Sequence, residues 1–182
     1  DGRTWDFTGR GEGFRNTTDL RGRSGTWHGN VHWSSNFDEI QDFENDIRND
    51  FGGEGFLTDE EFVSVSDTLG SPKAGLSTDL DALAAYVTSL GTDSIPRSPH
   101  RESNGQLSES ALRGLALFND HNCASCHTPS NDYTDRMTHD VGTISELSGN
   151  RLGGPLNGID TPTLLGLADS APYLHNGAAA SL

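Results

Sequence analysis

The chain has 182 residues, of which 27 are Asp or Glu and 12 are Lys or Arg, so its formal net charge is −15. Such an acidic balance opposes binding to nucleic acid and adsorption to anionic membranes. No apolar run approaches the ~20 residues needed to cross a bilayer, so no membrane insertion is expected. Only 32% of the residues are hydrophobic, which is lean for a packed core unless a large prosthetic group contributes buried apolar area.

The first half of the chain predicts a long loop followed by three helices. Residues 1–36 are rich in Gly, Arg, Asn, Thr and Ser and show no sustained period. An apolar stripe at helical spacing predicts a helix over 37–51. Thr58 and Glu61 form a capping box that predicts a second helix, 59–69. The clearest helical spacing predicts a third, over 77–91, capped by a serine or threonine.

The second half begins after a polar stretch with two prolines, 92–105, which is predicted to be a linker. A fourth helix, 108–118, is expected to bury Leu112, Leu115 and Phe118. Beyond it only one short helical turn is predicted, over 161–167, and no strands are predicted anywhere. The expected fold class is therefore mainly α with long irregular loops.

Both cysteines lie in one motif, Cys123-Ala124-Ser125-Cys126-His127. C-x-x-C-H is the attachment pattern of a c-type haem, in which two thiols add to the porphyrin and the histidine binds the iron. A redox disulfide would need a βαβ setting, a zinc site would need a second pair of ligands, and a structural disulfide would close only a tiny loop. The motif predicts one covalent haem c with His127 as proximal ligand, and hence a periplasmic or extracellular protein.

Two longer stretches carry a family resemblance. "LSESALRGLALFNDHNCASCHTPSNDYTDRMTHDVGT" and "DTPTLLGLADSAPYLHNGAAASL" together resemble the C-terminal haem domain of the bacterial di-haem cytochrome c peroxidase / MauG family. That family has a "PYxHDG" segment, which here has Asn176 where Asp is usual. The resemblance implies a cytochrome c-like haem domain over 106–182. It also implies that Pro172, Tyr173, His139 and His175 lie near the haem.

The stretch "RNTTDLRGRSGTWHGNVHWSSNFDEIQDFE" resembles the segment that follows the first haem of the same family, although "HWSSN" stands where the family has "FWDGR". Trp33 would then correspond to a tryptophan between the two haems. No second C-x-x-C-H is present in the sequence. The resemblance therefore implies that 1–91 is the remnant of an upstream haem domain and that the chain is the downstream part of a longer polypeptide.

The sixth iron ligand is left open by the sequence. Met137 is the only methionine and lies ten residues from His127, within easy reach of an extended chain, so it is a candidate distal ligand. For His139 and His175 we expect a role in hydrogen bonding a haem propionate or water rather than ligation. The other candidates are His121, His28, His32 and His100.

The first 23 residues contain a group of acidic residues and a group of arginines that could each bind a ligand. Asp1, Asp6 and Glu12 lie among glycines and suggest Ca²⁺, although the spacing is not that of an EF-hand. Five arginines could pair with haem propionates or with the acidic stretch 38–61. They are Arg3, Arg10, Arg15, Arg21 and Arg23.

The predicted function is electron transfer by a one-haem c-type cytochrome domain, within a larger di-haem or multi-subunit protein. Its partner would be a redox protein or a neighbouring haem domain. One alternative is the electron-donating half of a di-haem peroxidase or MauG-like oxidase; the chain alone is not expected to be catalytic, because in the resemblance the peroxide chemistry belongs to the first haem. The other alternative is a subunit of an extracellular cytochrome filament, in which His28 or His32 would bind a neighbour's haem.

Overall fold

The computed structural model describes residues 2–182, and it begins with a hairpin where the sequence predicts a loop. Strand β1 (Thr4–Phe7) pairs antiparallel with β2 (Gly13–Asn16). Gly13 has a φ of 70°, and a Cβ there would lie 2.0 Å from the carbonyl oxygen of Leu147, so the hairpin can approach the later part of the chain only at a glycine. The prediction of no strands is wrong: β1 is only four residues long and almost wholly exposed, so its short apolar alternation gives little signal.

The three predicted helices of the first half are present but shorter. Helix α1 (Phe43–Asn49) follows a single 3-10 turn, and α2 (Asp59–Ser64) begins at the predicted capping box, in which Thr58 and Glu61 bond each other's backbone. Helix α3 (Thr78–Ser89) begins after Ser77, whose hydroxyl accepts the N–H of Leu80. The starts of α2 and α3 are thus confirmed, whereas α1 begins at Phe43 rather than at 37, and apolar residues beyond the last turns belong to loops.

The apolar core lies between these helices. Leu80 is completely buried and packs with Leu57 and Val65, while one turn later Ala84 and Val87 of the same helix pack against Ile40. Leu83 contacts both clusters. Helix α3 is therefore the centre of the core of the first half.

Buried charges complete this region. The ammonium of Lys73, the only lysine, is fully buried and lies 2.7 Å from a carboxylate oxygen of Asp42. Glu44 is also fully buried and accepts the backbone N–H groups of Phe56 and Leu57. Each charge is paired or hydrogen bonded, as burial requires.

Helix α4 (Glu109–Asp120) is capped by Ser108, whose hydroxyl accepts the N–H of Ala111. No residue of this helix is buried: Leu112 is 53% and Leu115 43% exposed. The predicted burial of these leucines is therefore wrong for the polypeptide alone. Phe118 is half-buried and meets Tyr133 edge to face, with ring centroids 6.4 Å apart.

The remainder of the chain consists of loops, single 3-10 turns and four two-residue strands. Strand β3 (Thr138–His139) pairs with β6 (Ile159–Asp160), and β4 (Asn150–Arg151) pairs with β5 (Gly154–Pro155), both antiparallel. Helical residues, 3-10 turns included, make up 32% of the chain, so the prediction of a mainly α fold is not clearly supported. The long irregular loops are present as expected.

The two ends of the chain are joined by backbone hydrogen bonds. The N–H of Asn16 donates to the carbonyl of His175 over 2.6 Å, and the N–H of Asp160 donates to that of Trp33 over 2.8 Å. The guanidinium of Arg151 donates to the carbonyl of Ser34 over 2.7 Å. The early segment 2–36 thus packs directly on the region after residue 133. The division into 1–91, 92–105 and 106–182 stays a prediction.

No helix among the described residues combines the length and the apolar character that crossing a membrane would require.

Candidate functional site

The two cysteines lie on a single turn that follows helix α4. The helix ends at Asp120, Asn122 takes a left-handed conformation, and a 3-10 turn spans Cys123–Ser125. Both thiols are free and half-buried. This geometry presents the two sulfurs from one turn, as the addition of both to a single porphyrin edge requires.

His127 is oriented by the loop that follows it. Its Nδ1 lies 2.9 Å from the carbonyl oxygen of Tyr133. Because a carbonyl can only accept, Nδ1 carries the proton and the lone pair is left on Nε2. A hydrogen bond of this kind fixes the ring and the tautomer of a metal-binding histidine.

A cavity of about 280 Å³ opens beside this motif. Cys126 and His127 form one side of it, and its other walls are largely apolar, with Trp33 and Ile159 among them. The predicted site residues that also line it are His139, Pro172, Tyr173 and His175. The structure therefore brings together most of the predicted site.

Met137 is placed differently from the prediction. Its side chain is 60% exposed and does not line the cavity. The structure therefore gives no support to Met137 as distal ligand. His121 and His100 are also exposed, and neither lines the cavity.

His175 is the most buried of the cavity histidines, at 1% exposure. Its Nε2 lies 3.2 Å from the hydroxyl of Ser148, and its Nδ1 has no hydrogen-bond partner. Burial, with a smaller contribution from Arg15, lowers the pKa of His175, so the ring is neutral at pH 7. A neutral imidazole with one free nitrogen in a cavity wall can bind a polar group of a ligand.

The neighbouring Tyr173 is held by its hydroxyl, which donates to the carbonyl of Leu167 over 3.0 Å. It follows Pro172, whose peptide bond with Ala171 is cis. The phenol is therefore a fixed part of the wall.

His139 forms a pair that sequence reasoning did not identify. Its Nε2 lies 2.7 Å from a carboxylate oxygen of Asp135. The thiol of Cys126 lies close to this pair, with the three potential ligand atoms all within 4.8 Å of one another. Within residues 2–182 this is the only cluster of three or more side chains that could hold a metal ion. The sequence carries no signal for Asp135, because its distance from His139 and Cys126 depends on how the intervening loop folds.

The calcium prediction finds no support among the described residues. Asp6 is exposed and accepts the backbone N–H of Thr8, and neither it nor Glu12 belongs to the cluster at Cys126. Asp1, the third residue of that prediction, lies outside the described residues.

The five early arginines have separate roles. Arg10 pairs with Asp46 and Asp50, and Arg21 pairs with Asp19. Of the five, Arg23 alone lines the cavity beside the cysteine motif. Pairing with the acidic stretch 38–61 is thus confirmed for Arg10, and pairing with haem propionates stays a prediction.

Asp160 is a second cavity residue that the sequence did not single out. It is 6% exposed, and its Oδ1 has no hydrogen-bond partner. Burial raises the pKa of Asp160 to about 7, with Arg23 opposing that rise and Asp135 adding to it. A carboxyl group poised between its two protonation states therefore lies in the cavity wall.

These residues fit a haem. The cavity combines apolar walls, one free thiol and an imidazole whose Nε2 is unprotonated. Helix α4, which leads into the cysteine turn, leaves Leu112 and Leu115 on one face about half-exposed among the described residues. A flat apolar group held by both thiols at this place would cover apolar surface that the polypeptide leaves exposed.

The fold resembles that of a chain of hydrazine synthase. All of the chain superposes on 65% of a chain in the Kuenenia stuttgartiensis hydrazine synthase structure obtained under 20 bar of xenon, with a TM-score of 0.65 and 24% sequence identity. At this identity the likeness concerns the fold alone. No protein-family model matches the chain.

Two relatives resemble the sequence. Methylamine utilization protein MauG of Methylophilus methylotrophus is 35% identical over 106 residues, 53% of this chain and 31% of its own length. Hydrazine synthase subunit gamma of Kuenenia stuttgartiensis is 31% identical over 139 residues, 57% of this chain and 38% of its own length. The chain is thus related to the di-haem cytochrome c peroxidase / MauG-like proteins, as the motifs predict. It spans about a third of the length of these relatives.

Proposed function

We propose that the chain is a c-type cytochrome domain that binds one haem covalently through Cys123 and Cys126, with His127 as proximal ligand, and that it transfers electrons. The observation that carries this proposal is the orientation of His127. Its Nδ1 donates to the Tyr133 carbonyl, so its Nε2 is free to bind iron next to the two free thiols. A bound haem would supply a one-electron Fe(III)/Fe(II) couple.

The remaining cavity residues would position the haem and tune its properties. Arg23 supplies a cation in the wall, and the unpartnered Nδ1 of His175 supplies a polar group, so both suit the carboxylates of a haem. Asp135 holds His139 by its hydrogen bond, which orients that ring beside Cys126. We assign these residues to positioning, in agreement with the expectation from the sequence that His139 and His175 are not iron ligands.

The larger context is also proposed from the relatives. A related protein is named as a subunit, and MauG-like proteins carry two haems, so the chain would act within a multi-subunit or di-haem protein. In this proposal 106–182 forms the haem domain, 92–105 the linker and 1–91 the remnant of an upstream domain. Covalent attachment implies a periplasmic or extracellular location, because thioethers to haem are made outside the cytoplasm.

Haem content tests the proposal directly. The chain, expressed together with a cytochrome c maturation system, should contain one haem that stays with the protein after acid–acetone extraction. A pyridine haemochrome spectrum gives both the stoichiometry and the thioether type. As a control, the Cys123→Ser/Cys126→Ser variant should lose its haem in the same extraction. A wild-type chain without haem would overturn the proposal.

The second candidate is the electron-donating half of a di-haem peroxidase or MauG-like oxidase, which the match to MauG favours. The two candidate functions predict different peroxide turnover for the isolated chain and for a longer protein that includes an upstream haem domain. An isolated chain with low-spin iron and no peroxide turnover supports the carrier, and turnover that requires an upstream haem domain supports the second candidate. High-spin iron with rapid peroxide reduction by this chain alone would contradict both.

The filament alternative receives no support from the geometry. Nδ1 of His32 lies 2.9 Å from the side-chain oxygen of Asn36, and its Nε2 lies 3.5 Å from a carboxylate oxygen of Asp46. His28 is only 2% exposed, and burial lowers its pKa to about 4. Neither ring is presented to a neighbouring molecule.

A further inference from the structure

Trp27 is a large aromatic side chain on the surface, 65% exposed. Its indole N–H donates to a carboxylate oxygen of Asp132 over 3.0 Å, and the guanidinium of Arg136 lies 5.8 Å from its ring centroid. An exposed tryptophan costs hydrophobic free energy, and this one is held in one orientation by two partners. Exposed apolar groups of this kind often mark interaction sites.

The hydrogen bond of Trp27 leads to the proximal histidine. Asp132 is followed directly by Tyr133, whose carbonyl accepts the Nδ1–H of His127. The hydroxyl of Thr163 fixes this loop by donating to the backbone carbonyl of Asp132. From the surface indole to the imidazole there are thus two hydrogen bonds and a short covalent segment, with no gap across solvent.

We propose that Trp27 is the docking point of a basic redox protein, and that its hydrogen bond to Asp132 couples this partner electronically to the haem at His127. The inference rests on the function proposed above. In each transfer the iron of this chain goes from Fe(II) to Fe(III) and the partner's iron goes from Fe(III) to Fe(II). The indole is a bridge and is neither oxidised nor reduced.

The charge of the chain selects a basic partner. The net charge is −15, and the only lysine is buried in an ion pair. Arg10, Arg21 and Arg48 also form ion pairs with neighbouring carboxylates. Asp132 and Arg136 cancel each other beside the indole, so steering comes from the acidic surface as a whole, and Trp27 supplies the contact.

The experiment uses the haem-loaded chain and a mitochondrial-type cytochrome c as the basic probe. Binding is measured at several salt concentrations, and electron transfer is followed by stopped flow with increasing probe. Truncation of Trp27 to Ala should raise Kd about tenfold or more, the size typical of a tryptophan at the centre of an interface. Trp27→Phe keeps an aromatic ring but loses the N–H donor, so Kd should change little while the rate at saturating probe falls.

Trp5 provides the matched control. It is 50% exposed, and its indole N–H donates to the hydroxyl of Thr17 over 3.2 Å, but Thr17, unlike Asp132, is not part of the loop that follows His127. Trp5→Ala and Trp5→Phe should leave Kd and rate unchanged. The absorption spectra of all variants should match, and so should their rates with hexaammineruthenium, a small oxidant that needs no docking surface.

The outcomes distinguish a failure of the docking inference from a failure of the proposed function. Unchanged binding and transfer in Trp27→Ala, with normal haem content, overturns this inference and leaves the proposed function standing. An unchanged saturating rate in Trp27→Phe overturns the role of the hydrogen bond. A wild-type chain that does not react with the probe overturns the choice of a basic partner. A chain without haem overturns the proposed function and, with it, this inference.

Discussion

Helices α3 and α4 are both twelve residues long and both begin at a serine N-cap, yet they differ in what they bury. Helix α3 buries Leu80, Ala84 and Val87 against other side chains of the chain. No residue of helix α4 is fully buried, although Leu112, Leu115 and Phe118 recur at helical spacing. One part of the molecule thus makes its core from its own residues, whereas the other leaves an apolar helix face uncovered, as the proposed haem site would require.

The largest effect is expected from removing the thiols. In Cys123→Ser/Cys126→Ser, helix α4 should lose the haem that the proposed function places beside it and become a preferred site of proteolysis. Limited proteolysis with mass spectrometry should therefore cut within 106–133 in the variant, while 37–91 stays protected. Equal protection of α4 in variant and wild type would contradict the contrast between the helices.

A second prediction compares one leucine from each helix. Leu80 is completely buried, so Leu80→Ala should lower the free energy of unfolding by about 2–5 kcal/mol. Leu115 is 43% exposed in the polypeptide, so Leu115→Ala in the chain without haem should change it by no more than about 0.5 kcal/mol. Urea unfolding followed by circular dichroism measures both. A loss at Leu115 as large as that at Leu80 would show that α4 has a core of its own.

A third prediction concerns the cavity wall and pH. Because burial raises the pKa of Asp160 to about 7, this group stabilises the fold below pH 4, and that stability is lost as the pH rises to 7. The unfolded chain ionises first, so the free energy of unfolding should fall over this range by on the order of 3 kcal/mol.

Asp160→Asn should remove that slope, since an amide does not titrate. Urea unfolding between pH 4 and pH 8 measures it. Parallel pH profiles for the variant and the wild type would show that Asp160 does not titrate in this range.

The smallest prediction compares the two N-caps. Ser77→Ala and Ser108→Ala each remove a side-chain acceptor for a free backbone N–H, which typically costs about 1 kcal/mol. The loss at Ser77 should appear in the global unfolding of the chain. That at Ser108 should appear only as faster amide hydrogen exchange within α4, because little else packs on that helix. Identical global losses would contradict this.

The sequence was informative where the signal is local. The capping box at Thr58 and Glu61 and the serine cap of α3 are confirmed, because a cap depends on residues three apart. The cysteine motif is local as well, and its three residues lie together as expected. Near-haem positions for Tyr173 and His175 came from a family resemblance, and both line the cavity.

What could not be predicted depends on contacts between distant residues. Asp160 and Arg23 reach the cavity wall from opposite ends of the chain, and no spacing rule connects them. The burial of α4 was predicted wrongly, because the periodicity marks an apolar face without saying whether protein or cofactor covers it. The N-terminal hairpin was missed because its first strand is exposed on both faces.

The hydrogen bonds between Asn16 and His175, and between Trp33 and Asp160, have a consequence for biosynthesis. The cysteine motif is complete once residue 127 has been made, but the wall opposite it needs partners more than a hundred residues apart. Contacts over such distances form slowly. If the chain binds haem as proposed, its cavity can close only after these long-range contacts have formed, whereas the cysteine motif depends on neighbouring residues alone.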